Sequence, residues 1–299
     1  MHATIMTILS LYASEEQKRR YFGDVISQGA LFASLGSEPA GSPNSPRFYV
    51  ETSLSKTANG YRLNGEKHFC SIGTAAAYYF AFAMIDGTTG PRDGLVSVVV
   101  PKGTPGVTLS ETWNSMSMRA TASHSISFCE SSVANEHIIG APGEVVVGGV
   151  GSEYVVGYAA IYLGIAEAAY EFARDYARTR VVKPDTRPIS HSPLMQRYMG
   201  EMSVNLEAAR LMSMQAAMTA RPGVPERVFA LQQAKYFSVE TAMKVTDIAL
   251  RVCGGRGLLK DFPLERYYRD VRAGVVMFPS TDFLLLQIGR TELGLRVNE

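Results

Sequence analysis

The sequence is short of cysteine, and its three, Cys70, Cys129 and Cys253, lie far apart with no Cys-x-x-Cys pair. That excludes a disulfide framework and a zinc ribbon, and it fits a reducing cytoplasm. The five histidines show neither His-x-x-x-His nor His-Glu-x-x-His spacing, so no metal site is expected. Net charge is lacking too: 29 Lys and Arg against 28 Asp and Glu leave +1. With no global field to draw nucleic acid or an acidic membrane, any binding has to come from local sites. No basic leader accompanies the apolar stretch Met1–Tyr12, and Glu15 and Glu16 follow it closely, which argues against a secretion signal. Nor is there an unbroken apolar run of membrane length. Glu153, Glu167 and several glycines interrupt the most apolar region, 145–169, whereas a span needs about 20 apolar residues. That region reads as a buried core helix. Internal repeats and low-complexity segments are also missing.

What remains is a globular composition, 46% hydrophobic and 19% charged over 299 residues, enough for two or three compact units. The pattern divides into three zones, 1–30, 31–140 and 150–299. The first reads as helix. Ser14-Glu-Glu-Gln17 is a capping box, and Tyr21, Phe22, Val25 and Ile26 follow at helical spacing. The second reads as an antiparallel β domain. Asn59-Gly60 and Asn64-Gly65 are hairpin signals, and further β-branched and aromatic runs cover 78–84, 95–100, 106–109 and 125–128. The third reads as a bundle of four helices, about 152–180, 193–219, 226–253 and 280–293. Gly254-Gly255 stops the third helix, and Pro184, Pro188 and Pro193 fall in a connector. The expected fold is therefore α+β and multidomain: N-terminal helices, a central antiparallel β-barrel or sandwich, and a C-terminal four-helix bundle.

Four segments carry a more specific pattern. Ser37-Glu-Pro-Ala-Gly-Ser42 is a turn of small residues whose backbone N–H groups could approach phosphate. Leu63-Asn-Gly-Glu-Lys-His-Phe-Cys-Ser-Ile-Gly73 continues a hairpin strand. Trp113-Asn-Ser-Met-Ser-Met-Arg-Ala-Thr-Ala-Ser-His124 leads into another strand. Arg251-Val-Cys-Gly-Gly-Arg-Gly257 is followed by Pro263-Leu-Glu-Arg-Tyr-Tyr-Arg-Asp-Val-Arg272. In this order the four resemble the signatures of the acyl-CoA dehydrogenase superfamily, and the resemblance spans nearly the whole chain.

That resemblance implies an FAD-dependent oxidoreductase acting on the CH–CH group of an acyl thioester such as acyl-CoA. It implies flavin contacts from Ser37, Gly41, Ser42, Phe69, Ser71 and Thr281, with Arg180, Gly254 and Gly255 serving the flavin of a neighbouring subunit. A homodimer or homotetramer follows, because the family's C-terminal helices pack across subunits. Residues 1–30 would be the remnant of an N-terminal helical domain. The earlier helices would be absent from a shortened chain or supplied by a second subunit, leaving an apolar patch exposed on 1–30.

The chain also departs from the family. The usual base is the glutamate of a Y-E-G-T segment; the matching residues are Phe278-Pro-Ser-Thr281, and proline cannot accept a proton. A second family location for the base falls on Tyr154. Glu153 is its neighbour, about 100° round a helix, and Asp282 lies just past the proline. These two carboxylates are the candidate bases. Lys183 stands where an aromatic residue follows the arginine matched by Arg180. Two other readings stay open: a flavin-dependent monooxygenase on the same fold, which needs no carboxylate base, and a non-catalytic truncated paralogue.

Overall fold

The computed structural model describes residues 1–40, 50–147, 151–219 and 225–295. The chain divides into two compact units, Met1–Ser115 with Arg119–Tyr154, and Met116–Met118 with Val155–Glu299.

The first unit opens with α1 (His2–Tyr12) and α2 (Glu15–Gln28). Both bonds of the capping box form: the Gln17 N–H donates to Ser14 Oγ at 3.2 Å, and the Ser14 N–H to Gln17 Oε1 at 2.8 Å. The amide of Gln17 does more, donating from Nε2 to the carbonyls of Glu136 and Ile138 at 2.8 and 2.7 Å. Gly29, at φ 65°, ends α2 in the left-handed conformation.

The strands are β1 (Phe32–Leu35), β2 (Ser53–Thr57), β3 (Gly60–Cys70), β4 (Tyr78–Ile85), β5 (Leu95–Pro101), β6 (Val107–Ser110), β7 (His124–Val133) and β8 (Ile138–Ile139). Short helices α3 (Pro91–Gly94) and α4 (Glu144–Val147) flank β5 and β8 in the chain. The strands form one sheet in the order β6-β7-β3-β2-β4-β5-β8, with β1 added alongside β4. Most pairs are antiparallel, but β4 runs parallel to both β1 and β2.

The alternation of strand side chains explains how the sheet serves two cores. On β4, Tyr79, Ala81 and Ala83 join Val96, Val98 and Val100 of β5 on one face. Phe80 and Val99 point the other way, where Ile5, Ile8 and Leu9 of α1 and Tyr21 of α2 cover them. Met6, Phe22, Val25 and Ile26, with Thr7 and Ser10, line a shallow depression on the two helices, and Ile26 is 84% exposed.

Of the two Asn-Gly pairs, Asn59-Gly60 makes the β2–β3 turn, pairing Thr57 with Gly60. Asn64-Gly65 instead lies within β3 opposite a bulge in β7, where two steps from Leu63 to Gly65 face three from Ser131 to Phe128 and Glu130 takes φ 49°. The Asn64 side chain makes it so: Oδ1 accepts from the Glu130 N–H at 2.8 Å and Nδ2 donates to the Glu130 carboxylate at 2.7 Å. A Cβ on Gly65 would sit 2.5 Å from Thr52 Oγ1, so this position demands glycine.

The second unit contains most of α5 (Gly151–Thr179), then α6 (Pro193–Met218), α7 (Pro225–Cys253), α8 (Leu264–Asp270), α9 (Arg272–Val276) and α10 (Thr281–Glu292). The four long helices match the expected spans. Val155, Ala216, Leu231 and Ala234 bring α5, α6 and α7 together. Gly274 of α9 lies against the Tyr162 ring, where a Cβ would come within 2.9 Å. No single described helix is long and apolar enough to cross a membrane.

Candidate functional site

In the first unit, two motifs far apart in sequence are fastened together. The His68 N–H donates to the Ser37 carbonyl at 2.8 Å, an antiparallel bridge between the serine-led turn and β3. Beside this bridge, Lys67 Nζ lies 2.5 Å from Glu38 Oε1, with both side chains buried. Glu38 also accepts from the N–H groups of Glu51 at 2.5 Å and Thr52 at 3.1 Å. Burial by itself would raise the Glu38 carboxyl, but the Lys67 charge and these donors hold it below the usual carboxylate range. Burial pulls the Lys67 ammonium down while Glu38 opposes it; Nζ gains a second acceptor, the Phe82 carbonyl at 2.6 Å.

The strand that this pair anchors then kinks. Phe69 has φ 55° and Ile72 φ 59°, both in the left-handed region that non-glycine residues avoid. The first kink turns the Phe69 ring outward, leaving it 61% exposed. Trp113 stands edge-on to it at 6.1 Å, and His68 at 6.4 Å. Between the kinks, Ser71 Oγ is 2.8 Å from Ser123 Oγ, which is 2.7 Å from Thr121 Oγ1. The Ile72 N–H donates to the Thr121 carbonyl at 2.8 Å. The Arg-Ala-Thr segment therefore joins the same patch. Cys70, beneath it, is buried and its thiol pushed up to about 12, so it is no nucleophile.

Ser37, Phe69 and Ser71 are thus brought together. Gly41 and Ser42 lie outside the described residues. The sequence reading did not pick out Glu38, Lys67, Trp113, Thr121 or Ser123 as site residues, although all fall inside the motifs; their roles come from pairing across the fold. An exposed aromatic face on a strained backbone, beside a chain of three hydroxyls, fits a planar heteroaromatic ring system such as a flavin.

In the second unit, Gly254 has φ 60°, and among the described residues no atom beyond the chain neighbours lies within 4 Å of where a Cβ on Gly254 or Gly255 would project. This open glycine pair allows close approach of a large polar group to the backbone, as a pyrophosphate requires. Cys253, just before it, is buried and pushed up to about 11. The following signature is built into the fold: Glu265 pairs with Arg269 at 2.8 Å, and Asp270 accepts from the Met118 N–H at 2.7 Å. Arg180 sits at the end of α5, its carbonyl accepting from the Ile189 N–H at 2.8 Å. Thr281 begins α10 and is buried, its hydroxyl 3.5 Å from the Val275 carbonyl. Asp282 follows in the first turn of α10 on the exposed side.

Glu153 and Tyr154 belong to the first unit. Glu153 is 8% exposed, with Ser152 Oγ 3.4 Å from its carboxylate. Burial first, then the charges of Glu144 and Glu153, raise the Tyr12 phenol. The Tyr154 hydroxyl is 2.8 Å from Ser34 Oγ on β1, and burial pushes it up to about 12. It is therefore unsuited to act as a base near neutrality.

Comparison with known proteins gives the family. Residues 33–130 match the acyl-CoA dehydrogenase middle domain and residues 156–293 the acyl-CoA dehydrogenase C-terminal domain. An acyl-CoA dehydrogenase of Bacillus subtilis is 31% identical over 98% of this chain and 77% of its own. A 3-sulfinopropanoyl-CoA desulfinase of Paraburkholderia xenovorans is 31% identical over 96% of this chain and 74% of its own. The solved structure of butyryl-CoA dehydrogenase from Megasphaera elsdenii superposes with TM-score 0.88 at 27% identity, covering 96% of this chain and 74% of that one. Sequence profile, relatives and the folded position of the motifs converge: the chain belongs to the acyl-CoA dehydrogenase family of flavin-dependent oxidoreductases.

Proposed function

We propose that this chain binds FAD and oxidises the bond between the α and β carbons of an acyl thioester, with acyl-CoA as the substrate class. The observation that carries this reading is the patch formed by Ser37, Phe69 and Ser71, pinned by the buried Glu38–Lys67 pair. FAD, when bound, supplies the acceptor for a hydride. The chain's own part is binding and proton removal. Phe69 offers its ring face to the flavin, and the Ser71–Ser123–Thr121 hydroxyls offer hydrogen bonds at its edge. Gly41 and Ser42 act with Ser37 on the same flavin. Arg180, Gly254, Gly255 and Thr281 contribute the remaining contacts, with the glycines admitting the pyrophosphate. The first three of these act on a neighbouring copy's flavin in a homodimer or homotetramer. The working compartment is the cytoplasm.

Glu153 and Asp282 are the carboxylates we assign to proton abstraction. Anaerobic titration with a panel of acyl-CoA thioesters tests the assignment. The flavin band bleaches in the wild type, and bleaching slows in Glu153→Gln or Asp282→Asn, whichever residue is the base. Unchanged reduction in the double variant overturns both assignments. Pro279, which cannot accept a proton, favours a second reading, a flavin-dependent monooxygenase on the same fold, which needs no carboxylate base. A flavin that stays oxidised with every thioester supports that second reading over the first.

A further inference from the structure

Lys235 lies in the first half of α7 and is fully buried, yet its described partners include no carboxylate. Its Nζ donates to the Met277 carbonyl at 2.8 Å and to the Pro279 carbonyl. The Tyr158 ring lies over it, with Nζ 5.2 Å from the centroid. Burial pulls the ammonium down to about 7. Taking a lysine out of water for two main-chain acceptors and a ring face, with no opposite charge among its described partners, is costly. The two oxygens it holds flank Phe278, in the segment that stands where the family carries its usual base. Pro279 has no N–H of its own to brace that segment. Immediately beyond, Ser280 caps α10 by accepting from the Phe283 N–H at 3.2 Å, and Thr281 follows.

We infer that Lys235 is a positioning residue of the flavin site: by gripping the carbonyls of Met277 and Pro279 it fixes the 277–281 segment and, through it, Thr281. The inference rests on the flavin reading above. A lysine that only capped the end of α9 would affect stability and leave cofactor binding alone.

A double-mutant cycle on the full chain separates the two roles. The variants are Lys235→Met, Thr281→Val and both together, with FAD affinity read by quenching of flavin fluorescence and folding checked by circular dichroism. Lys235→Met, folded, should weaken FAD binding about tenfold or more. Thr281→Val should add little in that background, because the grip and the hydroxyl act as a unit. Lys235→Gln, which keeps an N–H donor, replaces the methionine variant in the cycle if the latter does not fold. Undiminished FAD affinity in a folded Lys235 variant, or strictly additive losses, overturns the inference and leaves the flavin reading intact. A wild-type chain that takes up neither FAD nor FMN overturns the flavin reading itself, and this inference with it.

Discussion

Lys67 and Glu38 meet at 2.5 Å in the interior of the β unit, one residue from the backbone bridge between His68 and Ser37. The pair locks the segment that begins at Ser37 onto the strand that carries Phe69. Removing one partner strands the other as a buried charge. Glu38→Gln or Lys67→Met should each cost about 3–5 kcal/mol, while the joint replacement Glu38→Met with Lys67→Met should recover most of that loss. Urea unfolding followed by tryptophan emission checks this, since the sole tryptophan, Trp113, reports on the same unit. The carboxyl of Glu38 is held below its usual range, so its contribution is present at neutral pH and is lost as pH falls through the folded value.

Trp113 gives a second test, because it stands 6.1 Å from Phe69. Flavin laid on Phe69 should extinguish most of the tryptophan emission. Phe69→Leu should weaken flavin binding by about tenfold, or about 1.4 kcal/mol. Full retention of emission at saturating FAD would place the flavin elsewhere.

The glycine pair separates strain from ligand contact. Gly254→Ala forces a side chain into φ 60° and should cost about 1–2 kcal/mol of stability. Gly255→Ala meets open space and should leave the melting temperature unchanged. If a pyrophosphate sits on this backbone, Gly255→Ala nevertheless lowers FAD affinity; equal affinity in variant and wild type contradicts that contact.

Lys235 makes a prediction about pH. Its folded value is lowered to about 7 from 10.5, so between those values the unfolded chain holds more protons and stability rises with pH. The clean window is about pH 7 to 8.5. His2 and His137, whose values burial lowers, act below it. The thiols of Cys70 and Cys253, raised from 9.0, act in the opposite direction above it. The Met1 amino group and the Lys67 ammonium, both also lowered by burial, add to the rise. Melting temperatures of wild type and Lys235→Met across the window isolate the lysine: the variant should show the smaller rise.

Local signals were legible wherever one segment decides its own structure. The Ser14–Gln17 box, the Asn59-Gly60 turn and the four long helices follow from spacing and caps, and they stand where the residues indicate. Pairing between distant segments was not legible. Asn64-Gly65 looks like a second turn until the side chain of Asn64 finds Glu130. Nothing in β1, β2 or β4 announces that they run parallel, because that depends on crossover connections. Lys67 and Lys235 read as surface residues by polarity, and only their buried acceptors reveal otherwise. Within the site, the motifs named Phe69 and Ser71, but the partners Trp113 and Ser123 needed the fold.

Gln17 illustrates how a local rule can carry a distant constraint. At the third position of a helix, glutamate and glutamine satisfy a capping box equally well, since either offers an oxygen to the Ser14 N–H. Here the other end of the same group faces two carbonyl oxygens, those of Glu136 and Ile138. A carboxylate would confront both with like partial charge, so only the amide suits this position. Gln17→Glu should preserve the start of α2 and yet loosen its attachment to β8. A substitution that helix statistics would score as silent becomes a discriminating one, because a single planar group is recognised from both sides.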